Sequence, residues 1–318
     1  MKTAAIIVTY KKPHLLRQCL SGILTQREKP NAIIVIDNSA DSATYDLCLE
    51  TLKTQKCFQK KEQGIIQKGN LNSQKTFYVS KTINDGGAGG FFYGIELAIS
   101  LGYDYLWLMD DDGIPHKDSL FFLKKNHKQE SVSNSLVVDI NDKSKLSFWL
   151  DSKGSQLNKS KFDSKKIVDN PEPSFFNGTF LNKSIITKFG NIEKKLFIWG
   201  DETEFLFRLK SKSVPLFTVV ESLHYHPINK KTIILKFPLS ICVRKIDNPF
   251  FEFLYYRNSI FINYKYYYTL NRRNNFFKSI IESFINIMYH AINFRFDRSK
   301  KISQAVCRAL QKNLNSKA

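Results

Sequence analysis

Apolar and polar positions along the first third of the chain alternate between two rhythms. Ala4-Ala5-Ile6-Ile7-Val8-Thr9 and Ala32-Ile33-Ile34-Val35-Ile36 are continuous apolar runs, the pattern of strands covered on both faces. Between them Leu15, Leu16, Cys19, Leu20, Ile23 and Leu24 recur at helical spacing, which predicts a β-α-β unit with a right-handed crossover. Further strands are predicted over 77–83 and 104–109, with a glycine-opened helix over 91–100 between them. Alternation of this kind predicts an α/β fold with a mostly parallel central sheet flanked by helices. Ligands of such sheets sit at the carboxyl ends of strands, and Asp37, Asn84 and Asp110, Asp111 and Asp112 all fall there.

Farther on the rhythm weakens. Positions 136–169 are polar and poorly periodic, so short strands and loops are expected. Phe175-Phe176-Asn177-Gly178-Thr179-Phe180-Leu181 and 217–223 predict strands, and 201–210 a helix with Phe205 and Leu209 on one stripe. After Pro227 the chain turns aromatic and basic, with Tyr255-Tyr256-Arg257-Asn258 and Tyr264, Tyr266, Tyr267 and Tyr268. A helical cap is expected over 250–270. A helix is expected over 276–296, because Phe277, Ile280, Ile281, Phe284, Ile285, Met288, Ala291 and Ile292 trace one face. The division drawn from this shift is a domain over 1–228 and a helical extension over 229–318.

Composition sharpens the second half. A hydrophobic share of 42% with 24% charged residues is ordinary for a globular chain, but the net charge of +19 is not. From 230 onward 17 Lys/Arg stand against 4 Asp/Glu, giving +13 of that +19. An anionic partner is expected there, either nucleic acid or the acidic face of a membrane. Cys19, Cys48, Cys57, Cys242 and Cys307 are odd in number and widely spaced, which argues for a reducing compartment. The first apolar run is too short for a signal peptide, and no run reaches the roughly 18 apolar residues of a spanning helix. The expected location is therefore cytoplasmic, peripheral on the inner face of the cell membrane.

Candidate chemistry concentrates where the strands end. Leu108-Met109-Asp110-Asp111-Asp112-Gly113 delivers three carboxylates to one point. Their mutual repulsion calls for a cation, and hard oxygen ligands suit Mg2+ or Mn2+. Asp37-Asn38-Ser39-Ala40-Asp41 offers short polar side chains to a base or ribose, although an Asx turn explains it equally well. Asn84-Asp85-Gly86-Gly87-Ala88-Gly89-Gly90 allows close backbone approach at a helix N-terminus, which favours anions. Asp201-Glu202-Thr203-Glu204 exceeds what capping needs, and Phe197-Ile198-Trp199-Gly200 before it supplies an aromatic wall. His224 and His226 are candidate metal ligands or structural residues.

In this order the motifs resemble an inverting nucleotide-sugar glycosyltransferase of family 2. The resemblance runs from about Ala4 to Pro227 and rests on Ile7-Val8-Thr9-Tyr10, the two Asp- and Gly-rich turns, Trp107-Leu108-Met109-Asp110-Asp111-Asp112, and Trp199-Gly200-Asp201-Glu202-Thr203-Glu204-Phe205. The glycine run followed by Trp107 to Asp112 looks most like the galactofuranosyl- and rhamnosyltransferase-like branch. The resemblance implies a GT-A-type nucleotide-sugar-binding fold and a UDP- or dTDP-linked donor. It implies that Thr9, Tyr10, Asp37, Asp41, Asn84, Gly86, Gly87 and Asp111 bind that donor. Asp110, Asp112 and His226 become metal ligands, and Trp199 and Glu204 contact the acceptor. The base is usually the second acidic residue of its pair, here Glu202, which leaves Asp201 and Glu202 both open. A saccharide or lipid-linked saccharide acceptor in cell-surface polysaccharide synthesis, such as O-antigen or capsule, is implied. A nucleotidyltransferase competes with this reading but should carry a glycine- and Arg/Lys-rich loop after the first strand, where Thr9-Tyr10-Lys11-Lys12-Pro13 has no glycine. A nucleic-acid-binding protein explains the charge but not the aspartates, so no nucleic-acid partner is expected.

Overall fold

A computed structural model describes residues 1–53, 59–61, 64–71, 73–148, 158–169, 172–228, 233–237, 241–244, 246–312 and 314. The chain forms two compact units, Met1–Ile192 with Lys212–Ile228, and Glu193–Ser211 with Asn229–Ala318. The stretch 193–211, with its acidic helix, thus groups with the residues from 229 onward. Side chains of that unit hold it there, as the site geometry below shows.

The first unit runs β1 (Thr3–Thr9), α1 (Pro13–Leu24), β2 (Ala32–Asp37), α2 (Ser42–Leu52), β3 (Gln59–Lys61), β4 (Gly64–Leu71), β5 (Gln74–Lys81) and α3 (Gly86–Ser100). It continues through β6 (Tyr105–Asp110), β7 (Ile114–Pro115), α4 (Ser119–Asn126), β8 (Val132–Asp139), β9 (Ile167–Asp169), β10 (Asn177–Asn182) and α5 (Lys183–Phe189). The second unit contributes α6 (Asp201–Ser211), and β11 (Leu216–His226) then completes the first.

Among the described residues these strands form one 11-stranded sheet in the order β3-β4-β5-β2-β1-β6-β10-β8-β11-β7, with β9 beside β11. Parallel pairing joins β5, β2, β1 and β6, and again β8 with β11. The remaining pairs are antiparallel. The sheet is thus parallel at its centre and mixed as a whole. The Leu71↔Gln74 pair closes a tight hairpin between β4 and β5, a connection only antiparallel strands accept. Ala5, Ile7, Ile33 and Val35 pack with Leu16, Cys19, Leu20 and Ile23 of α1. The alternate residues meet α3, where a Cβ on Gly94 would lie 2.6 Å from Ile6 Cγ2. Covering both faces is why β1 and β2 carry no polar alternation.

β8 departs from the loop-rich expectation for this region, because it begins at Val132 and is buried throughout. Its polar residues are paired inside: Asn134 Oδ1 accepts from Thr179 Oγ1 at 2.8 Å, and the Ser135 and Ser222 hydroxyls meet at 2.8 Å. Cys19, Cys48 and Cys307 are free thiols. Cys57 lies outside the described residues, as does Lys230, where the basic excess begins.

The second unit continues with β12 (Ile233–Phe237), β13 (Ile241–Arg244), α7 (Pro249–Lys265), α8 (Arg273–Ile292) and α9 (Phe296–Leu310). Phe253, Leu254 and Tyr256 of α7 share a core with Ile302 and Ala305 of α9. The helix expected over 276–296 is α8, which holds every residue of the expected face from Phe277 to Ile292 and ends before the turn where Phe294 adopts φ 56°. No helix among the described residues is long and apolar enough to cross a membrane.

Candidate active site

The three aspartates at the end of β6 divide their work. Asp111 is buried, and its Oδ2 accepts from Thr9 Oγ1 at 2.7 Å and from the Tyr10 backbone N–H at 3.4 Å. It therefore ties the end of β1 to β6. Thr9 likewise spends its hydroxyl on Asp111, while Tyr10 stays exposed. Burial raises the Asp111 pKa above its ordinary value, with the Asp112 charge adding to it against the Lys12, Thr9 and Tyr10 contacts.

Asp112 faces His226, with Oδ1 3.2 Å from Nε2. His226 Nδ1 lies 2.6 Å from the Pro227 carbonyl, which only accepts, so Nδ1 carries a proton. Such a bond fixes the tautomer of a metal-binding imidazole. In the neutral ring Nε2 is then an electron-pair donor pointed at a carboxylate, an arrangement that needs a proton or a metal ion between the two. Burial works to raise the Asp112 pKa, but the His226 contact and the Lys12 charge outweigh it and hold it at about 2. Lys12, missed in the sequence, places Nζ 3.6 Å from Asp111 Oδ1 and 3.4 Å from Asp112 Oδ2. A cation thus already answers the carboxylate repulsion.

Asp110 is half-buried and, by strand alternation, shares the α3 face with Leu106 and Leu108. Among the described residues no three His, Cys, Asp or Glu side chains converge as a ready metal cage. Magnesium typically takes one or two protein carboxylates and completes its shell with waters and substrate phosphates, so the Asp112–His226 pair fits such an ion. His224, the alternative ligand, is buried beneath Gly113, where a Cβ would lie 2.1 Å from its Nε2. Burial depresses its pKa to about 3.

The other donor positions are built into turns. Asp37 is fully buried; Oδ1 accepts from the Ser39 backbone N–H at 2.8 Å and hydroxyl at 2.5 Å, and Oδ2 from the Tyr78 hydroxyl at 2.7 Å. Asp41 caps α2, accepting from Thr44 N and Oγ1 at 3.1 Å each. Both side chains therefore shape the loops they sit in. Asn84 Oδ1 accepts from Gly86 N at 2.9 Å, and Gly86 takes φ 73°. Asn38 donates to the Gly86 carbonyl at 2.9 Å and so joins the loop after β2 to the start of α3. Gly87, half-buried, lies in the first turn of α3. Asp85 turns its carboxylate over that turn toward Lys81 at 2.5 Å, and a Cβ on Gly89 would sit 2.0 Å from Asp85 Cγ.

In the second unit α6 opens with Asp201, Glu202 and Glu204 in its first turn. Glu204 is fully buried and accepts from Arg208 at 2.5 Å, Lys265 at 2.6 Å and the Tyr266 hydroxyl at 2.8 Å. Its carboxylate braces α6 against α7 and the residues after it. Trp199 is 44% exposed and stands at φ 59°, with its ring 5.4 Å from Phe251. The backbone before α6 is held by α7: Asn258 Nδ2 donates to the Leu196, Ile198 and Trp199 carbonyls at 2.9, 2.9 and 3.0 Å. Buried Arg257 donates to the Lys195 and Leu196 carbonyls at 3.0 and 3.1 Å. The Arg257-Asn258 pair, visible in the sequence only as a polar break in an aromatic run, thus fixes where the acidic turn starts.

Glu202 is exposed and Asp201 buried. Burial, opposed by backbone N–H groups of Gly200, Asp201 and Glu202 and aided by the Glu204 charge, raises the Asp201 pKa from 3.8 to about 6. The folded protein then binds a proton more tightly than the unfolded chain between about pH 4 and pH 6, so stability falls as pH rises through that window and levels off above it. Replacing Asp201 with Asn should remove this slope and stabilise the protein above pH 6. Thermal melts across pH 4–8 that stay parallel for both proteins would contradict this.

The family model for glycosyl transferase family 2 matches residues 4–186. Galactofuranosyltransferase GlfT1 of Mycobacterium tuberculosis is 28% identical over 270 residues, covering 80% of this chain and 79% of that protein. Its counterpart in Mycolicibacterium smegmatis is 28% identical over 234 residues, covering 70% of each. Among solved structures, S. aureus TarS in complex with UDP-GlcNAc superposes at a TM-score of 0.56 with 11% identity, covering 98% of this chain and 81% of that one. Mannosyltransferase PcManGT from Pyrobaculum calidifontis, in complex with GDP-Man and Mn2+, superposes at 0.54 with 10% identity, covering 97% and 87%. These structures share the GT-A fold. With a family match over more than half its length, on a fold whose strand ends gather the expected aspartates, the chain belongs to glycosyl transferase family 2 and is a glycosyltransferase.

Proposed function

We propose that the protein is a metal-dependent inverting hexosyltransferase that moves galactofuranose, or rhamnose as the second choice, from a UDP- or dTDP-linked donor. The acceptor is a saccharide or lipid-linked saccharide at the inner face of the cell membrane, extended during cell-surface polysaccharide synthesis. The observation that carries the metal-dependent reading is the facing pair of Asp112 Oδ1 and His226 Nε2 at 3.2 Å. The galactofuranosyltransferase relatives support the sugar, and the nucleotide sugars named for TarS and PcManGT support the donor class.

Asp112 and His226, with Asp110 beside them, are the residues to hold Mg2+ or Mn2+. Such an ion supplies positive charge to a departing diphosphate. Asp112 stays ionised across the working range because its pKa is about 2. His226 keeps Nε2 available because Nδ1 holds its proton in a hydrogen bond donated to the Pro227 carbonyl. Asp111 holds Thr9 and Tyr10 in place at the end of β1. In the second unit Glu202 takes the proton of the acceptor hydroxyl as its oxygen attacks the anomeric carbon, so configuration inverts without a covalent intermediate. Asp201 lacks the exposure this needs. The exposed Trp199 ring offers an apolar face to the acceptor sugar.

Nucleotide release from a panel of UDP-, dTDP- and GDP-sugars with Mg2+ or Mn2+ tests this reading. UDP-galactofuranose or dTDP-rhamnose should be cleaved fastest. Condensation of a nucleoside triphosphate with a sugar phosphate, and no cleavage of any nucleotide sugar, would replace it with nucleotidyl transfer.

A further inference from the structure

α8 is folded with its polar side inward. Ser279, Ser283, Asn286 and His290 are buried, while Phe277, Ile281, Phe284, Met288 and Ile292 are exposed, Phe284 at 62% and Ile292 at 71%. The exposed set follows the i, i+4, i+7, i+11, i+15 spacing of one helical stripe, and the buried set occupies the opposite side. Phe294 and Phe296 extend the stripe through the turn into α9, exposed at 83% and 63%.

Specific contacts to α7 enforce this orientation. The Ser279 hydroxyl lies 3.0 Å from that of Ser259 and accepts from Asn263 Nδ2 at 3.0 Å. His290 Nε2 lies 3.0 Å from Glu252 Oε1, with both side chains buried. Rotating α8 by half a turn would hide the apolar stripe from water but break all three contacts. A helix pinned in this way presents its apolar face to something other than water.

Charge selects the occupant. Arg273 lies on the same stripe one turn before Phe277, Lys278 flanks it 4.0 Å from Glu282, and Arg295 and Lys300 stand exposed at its far end with Asp297 between them, leaving the cations in excess. Apolar side chains rimmed by cations match the interface of an anionic bilayer, where rings enter the acyl boundary and basic groups meet headgroup phosphates. A second copy of the chain would bring the same cations against one another.

We propose that the outward face of α8, continued by Phe294 and Phe296, inserts shallowly into anionic lipid and holds the protein on the membrane. This rests on the reading above only for its purpose, a lipid-linked acceptor, and the surface itself stands independently of the catalytic assignment. The test is co-sedimentation of the full chain with phosphatidylcholine vesicles with and without phosphatidylglycerol. The unchanged protein should pellet with the anionic vesicles. Phe284→Asp with Met288→Asp should lower the partition coefficient by roughly tenfold or more even at low salt, and Arg273→Glu with Lys300→Glu should abolish the preference for phosphatidylglycerol. Circular dichroism and lipid-free nucleotide-sugar cleavage should be unchanged in both variants, so failure to bind lipid is distinguishable from failure of the enzymatic reading. Equal pelleting of the unchanged and Phe284/Met288 proteins would overturn the proposal. So would a lipid-free dimer that Phe284→Asp with Met288→Asp converts to monomers, since that would assign the face to a second copy.

Discussion

Asp112→Asn is expected to lower turnover by roughly 10²–10³, the scale of losing one preorganised electrostatic partner of a transition state. The side chain has two functions that a neutral amide cannot reproduce. It carries a full negative charge, which the Lys12 ammonium 3.4 Å away favours. It also faces His226 Nε2 at 3.2 Å, so its loss removes half of the pair suited to a divalent ion. Excess EDTA should reduce the parent protein to a similar level, and chelation should have little further effect on the variant. Full activity of the parent protein in EDTA would remove the metal from the scheme and leave Lys12, 3.4 Å from Asp112, as the cation of the site. Asp111→Asn serves as a contrast: it loosens the β1 to β6 tie through Thr9 and Tyr10, so its effect should appear in melting temperature as well as turnover.

The contrast among these aspartates marks what the chain's pattern reveals and what it conceals. β1, β2, β5 and β6 were legible because covering both sheet faces demands uninterrupted apolar residues, and the ends of those strands located Asp37 and Asp110 correctly. β8 was concealed because Ser133, Asn134 and Ser135 look solvated yet are paired with one another's neighbours in the interior. Spacing alone also left open which way α8 faces, since an apolar stripe that faces outward has the same spacing as one that faces a core. Residue type located the donor loops, but only geometry separates Asp41, which caps α2, from a side chain free to meet a ligand. Lys12, Asn38 and Asn258 gave no spacing signal because each acts on a partner distant in sequence. The acidic run on α6 was legible as excess charge. Assigning Glu204 to an internal brace required seeing Arg208, Lys265 and Tyr266 around it.

That separation makes Glu202→Gln the sharper test of the chemistry. Of the three carboxylates in the first turn of α6, Glu204 is consumed and Asp201 is buried, with Glu202 exposed. A general base must reach the proton it removes, and losing one typically costs about 10²–10⁴ in rate. Glu202→Gln should therefore lower turnover by that factor while leaving donor affinity intact, because the substitution leaves the proposed Asp112–His226 pair unchanged. Its pH profile should also lose the limb set by the base, while its melting temperature stays close to that of the parent protein. Asp201→Asn should behave differently, gaining stability above pH 6 as its buried charge is removed. If the large loss of turnover follows Asp201→Asn while Glu202→Gln remains active, the base is Asp201. Its pKa of about 6 would then set the acid limb of the profile, and the stability gained by the Asn variant would measure what the fold sacrifices to keep that carboxylate ready.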